Sequence, residues 1–505
     1  IRFILLNFNW MKKTLIISSI LSIILFFLIL YLLQNSYRFN KFVFNSINPF
    51  NPIKTENAFL GYKINHPEGW IDPRGIFPIA GFNLPDGSNN LVESLKIIEK
   101  GGINLLINGN FGWMPDPEKL KMAFKELKNS ELNWLAIIEN ECKDDFIYCN
   151  SNDETNTNIK KYLDLFNDDF VYGWYLWDEP GKNRKLCSPF NLIPNDDFND
   201  INRMVKQIRN NPKYNNKLDF INLFPTYWDE IKTLENYKNY LNRFFTSQEI
   251  KPRVLCFDHY PFLKIEKGGF RKDFYYNLEI IRLKSIEWEI PFWMIILSSG
   301  HDNYVNPTFE QIRFQVYSAL AYGAKGIGYY LYSKSFEQIG YRSWILENFV
   351  DDSNVADSLH GPLYVPIKKL NSEIKKLGGI LMNLKSKRII HTSDFPNNQL
   401  NISIGLPYPS NTESLIKDVI SFDSLTTRKN ILIGEFSNEN LEENSNYLLI
   451  VNKDYNHNCD VKILFSEGKE IFKFNKNSGK FERIEYNNFI NLSILAGDGE
   501  LVLLR

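Results

Sequence analysis

Two adjacent acids, Asp178 and Glu179, end the most aromatic stretch of the sequence, "VYGWYLWDEP" from Val171 to Pro180, and a third, Asp258, ends the apolar run in "CFDHYP". Like charges repel and burial of a carboxylate is costly, so acids at the end of an apolar strand call for a reason. A carboxyl group in an apolar setting keeps its proton near neutral pH and can deliver it as a general acid. An ionised neighbour can stabilise a developing positive centre or activate water. The alternative for Glu179 is a cap on the following helix or a surface salt bridge.

Which role applies depends on the elements that carry these residues. From about residue 68 short β-rich runs alternate with helical stretches, beginning "GIFPIAGFN", "NLVESLKIIEKGG", "INLLINGNF", "DPEKLKMAFKELKNSE" and "NWLAIIENE". The alternation continues through "VYGWYLWDEP", "DFINLFPTYW", "PRVLCFDHYPF" and "PFWMIILSSG" to "AKGIGYYLY", which makes eight strands. Strands separated by helices pair in parallel, and eight such units predict a (β/α)8 barrel over residues 68–385. No Gly-rich phosphate loop follows the first strand, which counts against dinucleotide binding. From about Arg388 the helical period gives way to alternating, turn-punctuated runs such as "NYLLIVNKDYNHNCDVKILF" and "INLSILAGDGELVLLR". These predict a β-sandwich over residues 386–505 that packs on the barrel and carries no chemistry.

In a parallel barrel the active site is built at the C-terminal ends of the strands, so acids there are functional candidates. Asp178 and Glu179 end strand four, and Asp258 ends strand six. A fourth strand closing in Glu-Pro resembles the large clan of retaining (β/α)8 glycoside hydrolases, and "FQVYSALAYGAKGIGYYLY" and "AGDGELVLL" are similar to the β-galactosidase-like members that add a β-sandwich. The resemblance covers most of residues 68–505. It implies a glycosidase with Glu179 as general acid, its carboxyl desolvated by the aromatic wall of Trp174 and Trp177. It also implies a nucleophilic glutamate at the end of strand seven, where this chain has Ser298 and Ser299.

Three groups are candidates for the missing one. Asp302 follows in the loop, and Asp258 shares the same barrel mouth. The third is Asp178 itself, because "DEP" is similar to the adjacent Asp-Glu pair of hexosaminidases that use substrate-assisted catalysis, where the Asp orients the 2-acetamido group. A barrel that binds carbohydrate without cleaving it is the other reading of the lost glutamate. Around the strand ends, Asn83, Asn108 and Asn110, with Tyr227, His259, Tyr260, Trp293, His301 and Tyr332, are expected to shape a sugar site through amide forks and apolar ring faces.

The remaining composition sets bounds. The 505 residues are 44% hydrophobic and 15% aromatic with a net charge of −1, enough for a large core but without the basic stripe that phosphate backbones require. No nucleic-acid partner is expected, and no cofactor. Lys12 and Lys13 precede the apolar run from Thr14 to Leu33, long enough to cross a bilayer. With Met11 read as the start, this run predicts a signal anchor over residues 1–36 and a linker over 37–67. The rest would then lie outside the cytoplasm, membrane-anchored, or secreted if the segment is cleaved. Cys142 and Cys149 bracket a polar loop and could form a disulfide, with Cys187 as competitor; Cys256 is expected to be packed.

Overall fold

A computed structural model describes residues 76–84, 90–108, 117–127, 130–137, 163–164, 166–181, 197–228, 233–333, 342–343, 345–346, 360–392, 406–407, 416–422, 431–438 and 446–505. The run Thr14–Leu33 and Cys142, Cys149 and Cys187 lie outside these residues. No helix among the described residues is long and apolar enough to cross a membrane.

Eight parallel strands close into a barrel in sequence order: β1 (Ile79–Phe82), β2 (Leu105–Asn108), β3 (Asn133–Ile137), β4 (Val171–Asp178), β5 (Leu218–Leu223), β6 (Leu255–Asp258), β7 (Phe292–Leu297) and β8 (Ile327–Tyr330). Closure is made by β1 against β8, with Ala80 beside Gly328. Helices α1 (Leu91–Lys100), α2 (Pro117–Glu126), α3 (Asp197–Asn210), α4 (Leu234–Ser247), α5 (Phe274–Trp288) and α6 (Phe309–Tyr322) run between the strands, and α7 (Tyr364–Leu381) follows the last. Side-chain caps fix several helix starts: Asn90 accepts from the Glu93 amide, Thr233 from that of Asn236, and Thr308 and Gln311 form a reciprocal capping box.

The C-terminal region forms β9 (Lys385–His391), β10 (Leu406–Pro407), β11 (Ile416–Phe422), β12 (Ile431–Ser437), β13 (Asn446–Asn452), β14 (Cys459–Asn475), β15 (Lys480–Ile494) and β16 (Gly499–Leu504). They make one sheet, antiparallel except for the short β9–β10 pair. The sheet folds into a sandwich because β14 breaks register between Leu464 and Lys469, pairing with β11 before the break and with β16 after it. One face of these strands encloses a separate apolar core that includes Ile433, Ile450, Ile463 and Val502. Helix α6 lies between barrel and sandwich. Every residue from Ile312 to Tyr322 is buried, which explains an apolar sequence with no polar stripe.

Candidate active site

Lateral pairing fixes which side chains enter the barrel, since neighbours in a parallel register share a face. Ala80 and Phe82 on β1, Phe220 and Asn222 on β5, Cys256 and Asp258 on β6, Trp293 and Ile295 on β7, and Gly328 and Tyr330 on β8 fall on the inner face. Strand β4 departs from simple alternation. Between Tyr175 and Trp177 it advances two residues while β5 advances one, so Tyr175 matches Phe220 but Asp178 matches Asn222. This bulge swaps the phase of the strand and brings Asp178 inward.

The same bulge corrects the expected aromatic wall. Trp177 shares the outward register of Ile221, and Trp174 packs edge-on against Tyr214, fully buried behind the barrel wall. Neither can desolvate the acids at the mouth. The inward aromatic is Tyr175, whose hydroxyl donates to Asp178 Oδ1 at 2.8 Å.

Asp178 and Asp258 are brought together by a residue that the sequence reading passed over. Asn222 Nδ2 donates to Asp178 Oδ1 at 3.0 Å and to Asp258 Oδ1 at 2.8 Å. The two carboxylate oxygens are therefore no farther apart than these contacts laid end to end. Asp258 is buried at the end of β6 and Asp178 is half-buried. The main chain of Asn222 contributes too, its carbonyl accepting the Glu179 amide at 2.8 Å.

Glu179 itself is half-buried and has φ +49°, left-handed backbone that a long side chain adopts at a cost of about 1–3 kcal/mol. Its charge, like that of Asp258, opposes ionisation of the Tyr240 hydroxyl; burial is the larger cause that raises this group. Four described non-glycine residues have positive φ. Asn83, Glu179 and Asp302 directly follow β1 or β4 or lie in the loop after β7, while Glu289 caps α5. Strained backbone is thus concentrated at one end of the barrel.

An aromatic cradle lies beside the acids. Tyr260 stacks with Tyr330 at 5.7 Å between ring centroids and meets His301 and Tyr304 edge-on. Phe82 meets both Tyr330 and Tyr175 edge-on. His301 Nδ1 lies 3.0 Å from the Ser299 carbonyl, and burial holds its imidazole below the usual value. His259 is deeper, facing the ring of Tyr227, with Nε2 3.5 Å from Asp273 Oδ1. Burial keeps it neutral by lowering its pKa. Asp273 also accepts from Thr226 Oγ1 at 2.7 Å. Burial pushes its carboxyl up, but His259, Thr226 and Arg271 outweigh that and hold it at about 2.

Other expected contacts are not at the mouth. Trp293 lies near the start of β7, on the barrel floor against Phe220, where Gly326 leaves room that a Cβ would take from the indole. Tyr332 runs down the outside of β1, its hydroxyl reaching the space above Gly101 beside Tyr364; the eighth-strand residue at the mouth is Tyr330. Asp302 is exposed, and Ser298 and Ser299 are fully buried, with Ser298 Oγ donating to the Leu331 carbonyl. Asn83 stands at the mouth after β1. Asn108 ends β2, its side chain outside the described features, and Asn110 lies outside the described residues. Cys256 is buried and unbridged. Among the described residues no cluster of His, Cys, Asp and Glu forms a metal site.

Acids elsewhere in the barrel wall serve packing. Asp219 faces outward from β5 and is held by two 2.9 Å bonds from Arg209, a buried bidentate pair far from Asn222's face.

No protein-family model matches the chain, and no curated protein matches it. Solved structures similar to it include a β-galactosidase from the psychrophilic Marinomonas ef1, 11% identical with a TM-score of 0.42 over 61% of this chain and 62% of that one. A glycoside hydrolase family 5 protein from Bacteroides vulgatus ATCC 8482 is 12% identical, with a TM-score of 0.45 over 85% and 89%. A family 27 β-L-arabinopyranosidase from Geobacillus stearothermophilus is 8% identical, with a TM-score of 0.42 over 85% and 96%. The chain spans less than two thirds of the length of the β-galactosidase. The barrel and its sandwich rest on this chain's own strand pairing.

Proposed function

We propose that the protein is a glycoside hydrolase acting at the C-terminal mouth of the barrel. The observation that carries this reading is the meeting of Asp178 and Asp258 on Asn222 Nδ2, with Glu179 next in the chain and its amide on the Asn222 carbonyl. Glu179 is the general acid, giving its proton to the glycosidic oxygen as the bond to the anomeric carbon breaks. Asp258 stabilises the oxocarbenium-like centre or captures it, supplying the carboxylate that β7 lacks. The tyrosine and histidine rings of the cradle offer apolar faces to the sugar and edges to its hydroxyls.

A second mechanism for the same reaction is favoured by the fixing of Asp178 through two donors, Tyr175 and Asn222. A carboxylate so held suits the orienting of a 2-acetamido group as internal nucleophile. Aryl glycosides with and without 2-acetamido groups, tested on Asp178→Asn and Asp258→Asn, separate the two. Strong loss in Asp258→Asn with a dispensable acetamido group supports the first; strong loss in Asp178→Asn with an obligatory one supports the second. Sugar binding without cleavage of any glycoside would favour a silent binding barrel.

The proposal includes an extracytoplasmic location, supported by Lys12, Lys13 and the run from Thr14 to Leu33. Recovery of intact protein in the soluble cytoplasmic fraction would remove it.

A further inference from the structure

Arg271 is a half-buried cation at the lip of the same mouth, in the loop after β6. Its guanidinium lies 3.7 Å over the ring centre of Tyr227 and donates from Nη2 to the Tyr304 hydroxyl at 3.3 Å. Among the described residues it forms no ion pair within 4.0 Å. Its Nε is buried and has no hydrogen-bond partner among the described residues. Asp273, two residues on, is turned to Thr226 and His259 instead.

Stacking on a ring leaves the edge of a guanidinium as a preorganised fork, and the carboxylate its charge acts on, Asp273, is already held by Thr226 and His259. The backbone below is fixed: the Arg271 amide donates to the Pro261 carbonyl at 2.8 Å, and Phe270 bridges to Phe262 and packs on Phe274 and Phe314. The tyrosines holding the guanidinium are also neighbours of Asp258, whose charge is felt at both Tyr227 and Tyr304. A half-buried guanidinium fork beside Asp258, in no direct ion pair among the described residues, selects an anion on the substrate.

We propose that Arg271 binds an acidic group of the sugar, so that the substrate is an anionic glycan whose charge comes from a uronic acid carboxylate or a sulfate ester. This rests on the mouth being the substrate site, as proposed above. The planar carboxylate is the better match to two parallel N–H donors, and a sulfate oxygen pair offers the same contacts with less complementary geometry.

The test compares aryl uronides, the matching neutral hexosides and 6-sulfated hexosides on the intact protein and on Arg271→Gln, Arg271→Lys and Tyr304→Phe. The acidic-to-neutral ratio of kcat/KM should favour acidic sugars and fall about 30-fold or more in Arg271→Gln. Arg271→Lys should recover only part of it, because a point charge replaces the fork. Preference for the uronide assigns the charge to a carboxylate and preference for the sulfated sugar to a sulfate. If Arg271→Gln does not fold, Tyr304→Phe should lower the ratio several-fold by loosening the hold that orients the guanidinium. An unchanged ratio in the folded variants, or a preference for neutral sugars, would overturn the proposal and leave Arg271 as a brace between two tyrosines. Calorimetric titration with sodium glucuronate and galacturonate against glucose and galactose gives an arm independent of catalysis. Uronate binding lost in Arg271→Gln, with no glycoside cleaved, would reject the hydrolase reading alone; no preference for uronates would reject this one.

Discussion

Asp178 at the end of β4 and Asp258 at the end of β6 accept hydrogen bonds from the same nitrogen, Asn222 Nδ2 on the strand between them, at 3.0 and 2.8 Å. One neutral amide thus fixes the spacing of two carboxylates that would otherwise repel. Asn222 is a positioning residue. Asn222→Ala is expected to lower kcat/KM by about 10²-fold, comparable to losing a preorganised donor, and to move the acid limb of its pH profile upward, because like charges without a shared donor favour protonation. A profile that keeps its shape while activity falls would mean that Asn222 serves folding only.

Glu179 holds a left-handed backbone, φ +49°, with its amide on the Asn222 carbonyl. Strain of this kind persists where function requires the side chain. Glu179→Gly is expected to abolish turnover while leaving unfolding free energy unchanged or raised by up to about 1 kcal/mol, because glycine adopts this conformation without steric cost. A loss of stability greater than about 1 kcal/mol on urea unfolding would contradict the strain argument.

The β4 bulge gives opposite expectations for neighbouring aromatics. Tyr175→Phe removes a hydroxyl from Asp178 and should reduce kcat/KM about tenfold with little change in stability. Trp174→Ala empties a site packed against Tyr214 and should cost about 3–5 kcal/mol without altering KM. Thermal unfolding and steady-state kinetics on both variants check this. A KM effect in Trp174→Ala with unchanged stability would put that ring back at the mouth.

The barrel was legible in the sequence because each of its eight strands is a short apolar run bounded by turns, and the two ends of such a strand carry different burdens. Asp178, Glu179 and Asp258 were visible for that reason. Trp174 was misread because a bulge leaves no mark in the alternation "YGWYLWD", and Trp177 because the residue beside an inward Asp178 faces outward. Trp293 was misread because it lies too early in its strand, at the barrel floor, and Tyr332 because it lies beyond the end of its own. Asn222 follows Phe220 at the inward spacing of two and was there to be found. Arg271 was not, since the long loop after β6 brings it to the mouth through packing of Phe270 on residues remote in sequence.

Acidification should weaken the fold. His259 and His301 are buried with pKa values below the usual 6.5, so the unfolded chain takes up these protons first and stability falls as pH drops below about 6.5. Lys325, donating to the Leu381 and Leu384 carbonyls, and Lys453, beside His391, are both pushed down by burial to about 7 from 10.5. The folded chain releases these protons before the unfolded one, so stability rises between pH 7 and 10.5. Urea unfolding from pH 7 to 9 should show a midpoint that climbs, and a flat or falling midpoint there would contradict the lysine assignments.

The central claim is that Glu179 protonates the leaving oxygen. Its most direct test is kcat/KM for aryl glycosides of graded leaving-group acidity, on the unaltered protein and on Glu179→Gln. The variant should lose about 10²–10⁴-fold on poor leaving groups and little on the most acidic phenols, giving a steep dependence where the unaltered protein is nearly flat. Equal losses across the series, or none, would show that another group delivers the proton.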